Sequence, residues 1–353
     1  MASTKHGLTV RGDSLYCPLP LALETYWACE PDCFHCYFRG LNHVWGSDLR
    51  PISLEALDRK LTAGLKNKNP KTPLAHCLSN KNTIRIGNKS DPFQPVERDL
   101  LLTTRALRLF RKHRWSIVVQ TRFSRNAREL AQPSLSKLNR LGLLTMLPIL
   151  SPGLEKDWEL FERERTTPIP QRIEDMKAWV REGIPVGVNG EPFIPGHHSV
   201  ADFEEALKLI KSAGVRRYNT YNFHFTPFVA KRIYTLPGVD IEKIWEMNKD
   251  RNWKPILQQL IDLAKKHNIT LGCPDFVNTG PLHREVAGTC CGIDPPNPTR
   301  FNTHYFKRLA QDGLTTDEII EETWDGSADR EEGRKIIEGK TRKMYTLKDA
   351  GVV

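Results

Sequence analysis

No stretch of the chain approaches the run of about 20 apolar residues that a membrane-crossing helix needs, so no such helix is expected in it. The opening residues, Met1-Ala-Ser-Thr-Lys-His6, hold no apolar segment that would serve as the core of a secretory signal. No internal repeat or low-complexity tract is apparent. Acidic residues are in the minority, 42 against 52 basic, leaving a formal net charge of +10. With 39% hydrophobic and 27% charged residues, the 353-residue chain has the composition of a globular protein with a real core.

Three of the eight cysteines fall in one short run, Cys29-Glu-Pro-Asp-Cys33-Phe-His-Cys36. The C-x3-C-x2-C spacing brings three thiolates onto one loop. A fourth cysteine is missing nearby, whereas an electron-carrying [4Fe–4S] cluster is held by four. Three thiolates on a cubane leave one iron open, and an open position is what a catalytic metal site keeps. The alternative is a structural zinc ion with His35 as fourth ligand, for which the imidazole would have to fold back onto its own loop. Thiols committed to a reduced metal site, with no secretory signal, point to the cytoplasm and away from disulfides.

Short β-branched runs near 21–27, 83–87, 116–121, 144–149, 185–189 and 217–221 alternate with amphipathic runs near 53–65, 98–112, 127–141, 171–182 and 200–213. Strands alternating with helices imply βα units and a parallel sheet. After residue 222 the pattern changes: 226–249 reads as loop, 253–267 as helix, 269–273 as strand, 273–302 as a Pro-, Gly- and Cys-rich stretch, and 316–324 and 330–342 as helices. The expected organisation is an N-terminal segment, 1–18; a barrel, 19–222; and a C-terminal capping extension, 223–353.

The cysteine spacing resembles that of the radical SAM superfamily. A second segment, Ile86-Gly-Asn-Lys-Ser-Asp-Pro-Phe-Gln-Pro-Val-Glu97, narrows the resemblance, because Ser90, Asp91, Pro92, Gln94, Pro95 and Glu97 match a stretch of the spore photoproduct lyase-like family. Glu164-Arg-Thr-Thr-Pro168 with Arg172, and Glu191-Pro-Phe-Ile-Pro-Gly196, are similar to two further stretches of that family. The resemblance spans about residues 20–215. It implies a partial (β/α)6 radical SAM barrel, a [4Fe–4S] cluster on Cys29, Cys33 and Cys36, S-adenosyl-L-methionine (SAM) at the open iron, and an external electron donor such as flavodoxin or ferredoxin. It also implies DNA as substrate, a nucleobase such as a modified thymine being changed or rearranged.

Residues at strand ends are the candidates for holding the cofactor. Asp91 is a rigidly placed carboxylate that would accept from an ammonium or a hydroxyl, or else a turn cap. Ser90 precedes it. Arg122, a cation suited to a carboxylate, is otherwise a surface arginine. Ser151 would reach the cofactor or simply precede Pro152. Glu164 and Arg172 read as a structural ion pair. His35 stands where the family has an aromatic residue. In the lyase a cysteine just upstream of the Ser-Asp pair returns a hydrogen atom to the product; here that place holds Asn88 and Lys89, so a different reaction is expected. Cys273, Cys290 and Cys291 are candidate hydrogen donors, or a second metal site, or buried thiols. The run Tyr218–Phe225 would stack an unpaired base or fill a core.

The charge favours a polyanion, through steering and counterion release. Basic runs at 66–71, 105–114, 122–128 and 216–217 carry it, with Arg125 and Arg128 expected to meet phosphates beside the barrel mouth. The competing readings are a radical enzyme acting on a peptide or small metabolite, and a non-catalytic nucleic-acid-binding protein with a structural metal.

Overall fold

Eight short strands carry the architecture: β1 (Leu8–Val10), β2 (Leu21–Leu23), β3 (Ile84–Ile86), β4 (Ile117–Thr121), β5 (Leu144–Pro148), β6 (Val188–Asn189), β7 (Arg217–Asn219) and β8 (Thr270–Gly272). The structure, a computed structural model, describes residues 5–10, 15, 17–40, 49–220, 223, 226–272 and 297–338. β1 to β5 pair in chain order, and so do β6 to β8. Parallel bridges from Met146 to Val186 and from Ile149 to Asn189 join the two ladders. From β2 onward every pairing is parallel, and β1 adds an antiparallel edge.

Side chains alternate along each strand. Ile84, Ile86, Ile117, Val119, Met146, Val188 and Tyr218 face the helices and share one core with Phe110, Leu135, Trp179 and Phe203. Burying each large side chain contributes about 2 kcal/mol. The opposite face, which lines the inside of the curved sheet, is polar for much of its length: Arg85, Gln120, Asn189 and Asn219 are all buried there.

Several expectations are refined by the structure. The helix expected over 98–112 is a turn, Glu97–Leu100, followed by a helix, Leu102–Lys112, with Leu101 in the left-handed region between them. The Glu97 carboxylate causes the break, because it accepts from the N–H groups of Thr103 (2.9 Å) and Thr104 (2.8 Å) and so caps the second helix from inside the chain. The loop expected over 226–249 contains two short helices, Pro227–Tyr234 and Ile241–Met247, capped by Thr226 and Asp240. The sheet also continues past the boundary expected after residue 222, since β8 pairs with β7.

Residues after 222 pack at both ends of the strands. Val229, Ile233, Ile241 and Ile244 pack with Phe34, Tyr37, Phe161 and Ile194 on the side of the cysteine loop. At the strand starts, Thr299 N–H donates to the carbonyl of Pro18 (3.0 Å) and Thr83 N–H to that of Asn297 (3.3 Å). There Phe301, Phe306, Leu309, Ile319 and Ile320 form a separate small core with Leu15. No helix among the described residues is long and apolar enough to cross a membrane.

Candidate active site

The cysteine loop leaves the C-terminal end of β2, the end at which parallel barrels place their chemistry. The segment after β3 pins it. The backbone N–H of Asp91 points at the sulfur of Cys29, 3.4 Å away. Gln94, fully buried, accepts from Glu30 N–H (2.7 Å) and donates to the Ala28 carbonyl (3.0 Å), bracketing Cys29. Tyr26 donates its hydroxyl to Glu97. Gly87 lets the segment after β3 turn tightly against β4: its φ is +88°, and a Cβ there would lie 2.4 Å from the Gln120 carbonyl oxygen. From the other side, Phe34 N–H donates to the Phe161 carbonyl (2.8 Å), and Arg232 donates to the carbonyls of Asp32 (3.1 Å) and Cys33 (3.2 Å).

Cys33 is buried and Cys29 and Cys36 are half-buried. Burial, then the Asp91 carboxylate and the other two sulfurs, push the Cys29 thiol well up. Burial raises Cys33 to about 12, against the pull of Arg122. Cys33 and Cys36 each raise Cys29, and Cys36 raises Cys33, so the three thiolates repel one another when bare, and a polynuclear cation removes that cost. The donor set therefore fits an iron–sulfur cluster bound through three corners.

A buried chain of charge runs beside the loop. Arg122 donates one guanidinium nitrogen to Glu162 and another to His35 Nε2 (3.0 Å). Glu162 also accepts from Arg172 and Thr166. Burial alone would raise the Glu162 carboxyl, but the guanidinium groups of Arg122 and Arg172 hold it at about 2. The ion pair expected of Glu164 is thus made by Glu162: Arg163 and Glu164 both adopt positive φ (58° and 56°), and the turn leaves Glu164 exposed.

The structure brings Cys29, Cys33, Cys36, His35, Asp91 and Arg122 together. Asp91 serves as a turn cap: its carboxylate accepts from Phe93 N–H (2.9 Å), the Thr121 hydroxyl (2.7 Å) and Arg122 N–H (2.6 Å). Ser90 Oγ bonds the Tyr26 carbonyl (2.7 Å) and Glu24 (3.2 Å), which fixes the loop from within. Ser151 donates to Asp157. Tyr218 faces the helices, its ring against Phe203 and its hydroxyl on the Leu150 carbonyl (3.0 Å), and Phe223 fills the core above the loop, so neither offers a stacking platform. Arg125 pairs with Glu129, and Arg128 with Asp175 (3.2 Å), so neither is a bare phosphate ligand. Cys273, Cys290 and Cys291 lie outside the described residues.

Sequence reasoning missed Asp157, His197 and His198, whose ligand atoms lie within 4.8 Å of one another. The hydrogen bonds disfavour a metal there. His198 Nδ1 accepts from Ile194 N–H (2.9 Å), so Nε2 carries the proton and donates to Asp157 (2.8 Å). Two adjacent histidines after β6 were the available signal. Glu24 was also missed. It is buried on β2's continuation and accepts from the N–H groups of Lys89 (2.9 Å) and Ser90 (3.0 Å). Burial raises it to about 7.

The sheet is a partial parallel barrel with the loop of three cysteines at the C-terminal end of a strand, and its fold is shared with solved radical SAM enzymes. Among solved structures the chain is similar to spore photoproduct lyase. One is a mutant with a dinucleoside spore photoproduct (TM-score 0.55, 11% identity, covering 76% of this chain and 80% of that one). Another mutant holds both S-adenosylmethionine and the dinucleoside (TM-score 0.54, 10% identity, 76% and 80%). Streptococcus suis SuiB bound to S-adenosylmethionine is matched at TM-score 0.42 and 14% identity, over 59% of this chain and 42% of that one. No family model and no curated protein matches the chain.

Proposed function

We propose that the chain is a radical SAM enzyme that modifies or rearranges a nucleobase in DNA. The observation that carries the reading is the three-thiol loop at the C-terminal end of a parallel barrel strand, pinned by Asp91 and Gln94. Cys29, Cys33 and Cys36 would hold a [4Fe–4S] cluster with SAM as its co-substrate. When bound and reduced by an external donor such as flavodoxin or ferredoxin, that group would supply the one-electron cleavage of SAM and so radical abstraction of hydrogen. Arg122 and His35, in contact with each other beside the cysteine loop, would help to orient the cofactor. The loop's cover of Phe34, Tyr37, Val229 and Ile233 keeps water from the radical.

Support for a DNA substrate comes from the +10 charge and from the likeness in fold to a lyase seen with a dinucleoside lesion. The polar inner face, with Arg85, Gln120, Asn189 and Asn219, suits a hydrogen-bonding base. A base inside a duplex must be flipped out to reach it. The test is release of 5′-deoxyadenosine by reconstituted, reduced protein with SAM, alone and with DNA or a peptide mixture. Stimulation by DNA, with a changed nucleoside in the digest, is expected. Stimulation by peptides alone would move the substrate to another class.

A further inference from the structure

His35 lies between two of the cluster cysteines, and its tautomer is set by its neighbour. Arg122 has only donors, so the 3.0 Å contact to His35 Nε2 requires that nitrogen to accept. A neutral imidazole accepting at Nε2 carries its proton on Nδ1. Glu162 and Arg172 behind Arg122 hold the guanidinium in place, and the edge of Phe161 holds the ring (centroids 5.7 Å apart). Yet Nδ1 is buried and has no hydrogen-bond partner among the described residues. A buried N–H without an acceptor is costly and rare, so the site is incomplete as the protein alone.

We infer that His35 Nδ1–H donates a hydrogen bond to a sulfur of the cluster held by Cys29, Cys33 and Cys36, and so raises the cluster's reduction potential. The inference rests on the function proposed above. Its logic is local. The residue is two positions from Cys33 and adjacent to Cys36 on a loop anchored at Asp32, Cys33 and Phe34, so the ring cannot leave the loop's surroundings. Sulfur is the acceptor that cluster loading brings to this loop. Hydrogen bonds to cluster sulfur favour the reduced, more negative state and raise the potential. Arg122 thereby acts as a positioning residue, presenting His35 as a donor.

The test is an EPR-monitored redox titration of the reconstituted full-length protein, wild type beside His35→Asn, His35→Gln and His35→Phe. The Asn amide places an N–H near the position of Nδ1, whereas the Gln amide reaches toward Nε2. The expected result is a potential near wild type for His35→Asn. His35→Gln and His35→Phe should shift to more negative potential by about a tenfold change in the oxidised-to-reduced ratio, ~59 mV for one electron. Pulsed EPR of reduced wild-type protein labelled with 15N-histidine should also show a weak coupling from a non-ligating imidazole, present before SAM is added. Equal potentials in all four proteins, an Asn variant that shifts as far as the Phe variant, or a coupling that appears only with SAM would each overturn the inference. Failure of the wild type to bind iron at all would instead refute the underlying function.

Discussion

The backbone N–H of Asp91 points at the sulfur of Cys29, joining the cysteine loop to a segment 62 residues further along the chain. Around that contact the segment 87–97 works as a clamp. Gln94 grips the residues on either side of Cys29, Ser90 fixes the loop to Tyr26 and Glu24, and Glu97 ties Tyr26 to the start of the next helix. Two residues of this segment that resemble the spore photoproduct lyase-like stretch, Asp91 and Gln94, thus have a structural explanation in this chain: they place Cys29.

Gln94→Ala should weaken the clamp without touching a metal ligand. It leaves Glu30 N–H and the Ala28 carbonyl without their partner, a cost of about 2 kcal/mol. The expected outcome is a lower melting temperature and reduced iron retention under mild chelation, both measured against wild type.

Glu24 predicts a stability that falls as pH rises toward neutrality. Its carboxyl is raised from 4.5 to about 7 in the folded chain by burial. The folded state therefore holds a proton that the unfolded state loses first, and the stability tied to it is present below about 4.5 and is lost as pH rises to about 7. Its size is on the order of 3 kcal/mol. Glu24→Gln should flatten the fall in stability between pH 5 and 7, read from urea denaturation of the apoprotein. An unchanged slope would show that Glu24 does not titrate there.

Salt dependence separates phosphate contacts from internal ion pairs. DNA affinity should fall with salt at a logarithmic slope of roughly −4 to −5, corresponding to four to six phosphates. Because Glu129 and Asp175 already hold Arg125 and Arg128, replacing both with Gln should change that slope by less than about one. A flattening by two would show that DNA draws both arginines out of their pairs.

Much of the barrel is legible in the sequence, because its strands are short apolar runs separated by amphipathic helices. All six strands expected between residues 21 and 221 are present, each shorter than expected at one or both ends. The cysteine loop is legible because its ligands are contiguous. What escaped depends on partners far away in sequence or on backbone turns that residue patterns do not show. The choice of Glu162 over Glu164 rests on two left-handed residues in a row, and the break at Leu101 on a carboxylate reaching forward from Glu97. Asp91, read as cofactor ligand or turn cap, is a cap because three donors from this chain converge on it. Asp157 and His198 meet across 41 residues, which no local pattern records. Arg125 and Arg128 read as free cations only while Glu129 and Asp175 are left out of the count.

The chain should not repair spore photoproduct at a useful rate. The resemblance to the lyase family puts Asn88 and Lys89 where that family has a hydrogen-returning cysteine, and neither has a weak bond to hydrogen. Anaerobic incubation of the reduced, SAM-loaded protein with the dinucleoside lesion should leave it unconverted. Efficient formation of two thymines would mean that another residue returns the hydrogen.

The most direct test of the account is the metal content of the three-thiol loop. Anaerobically reconstituted wild-type protein should bind about four irons per chain, show the brown colour of an iron–sulfur protein, and cleave SAM when reduced. Changing any one of Cys29, Cys33 or Cys36 to Ala should abolish the cluster and the cleavage together. Zinc at full occupancy with no uptake of iron, or SAM cleavage that survives loss of these cysteines, would contradict it.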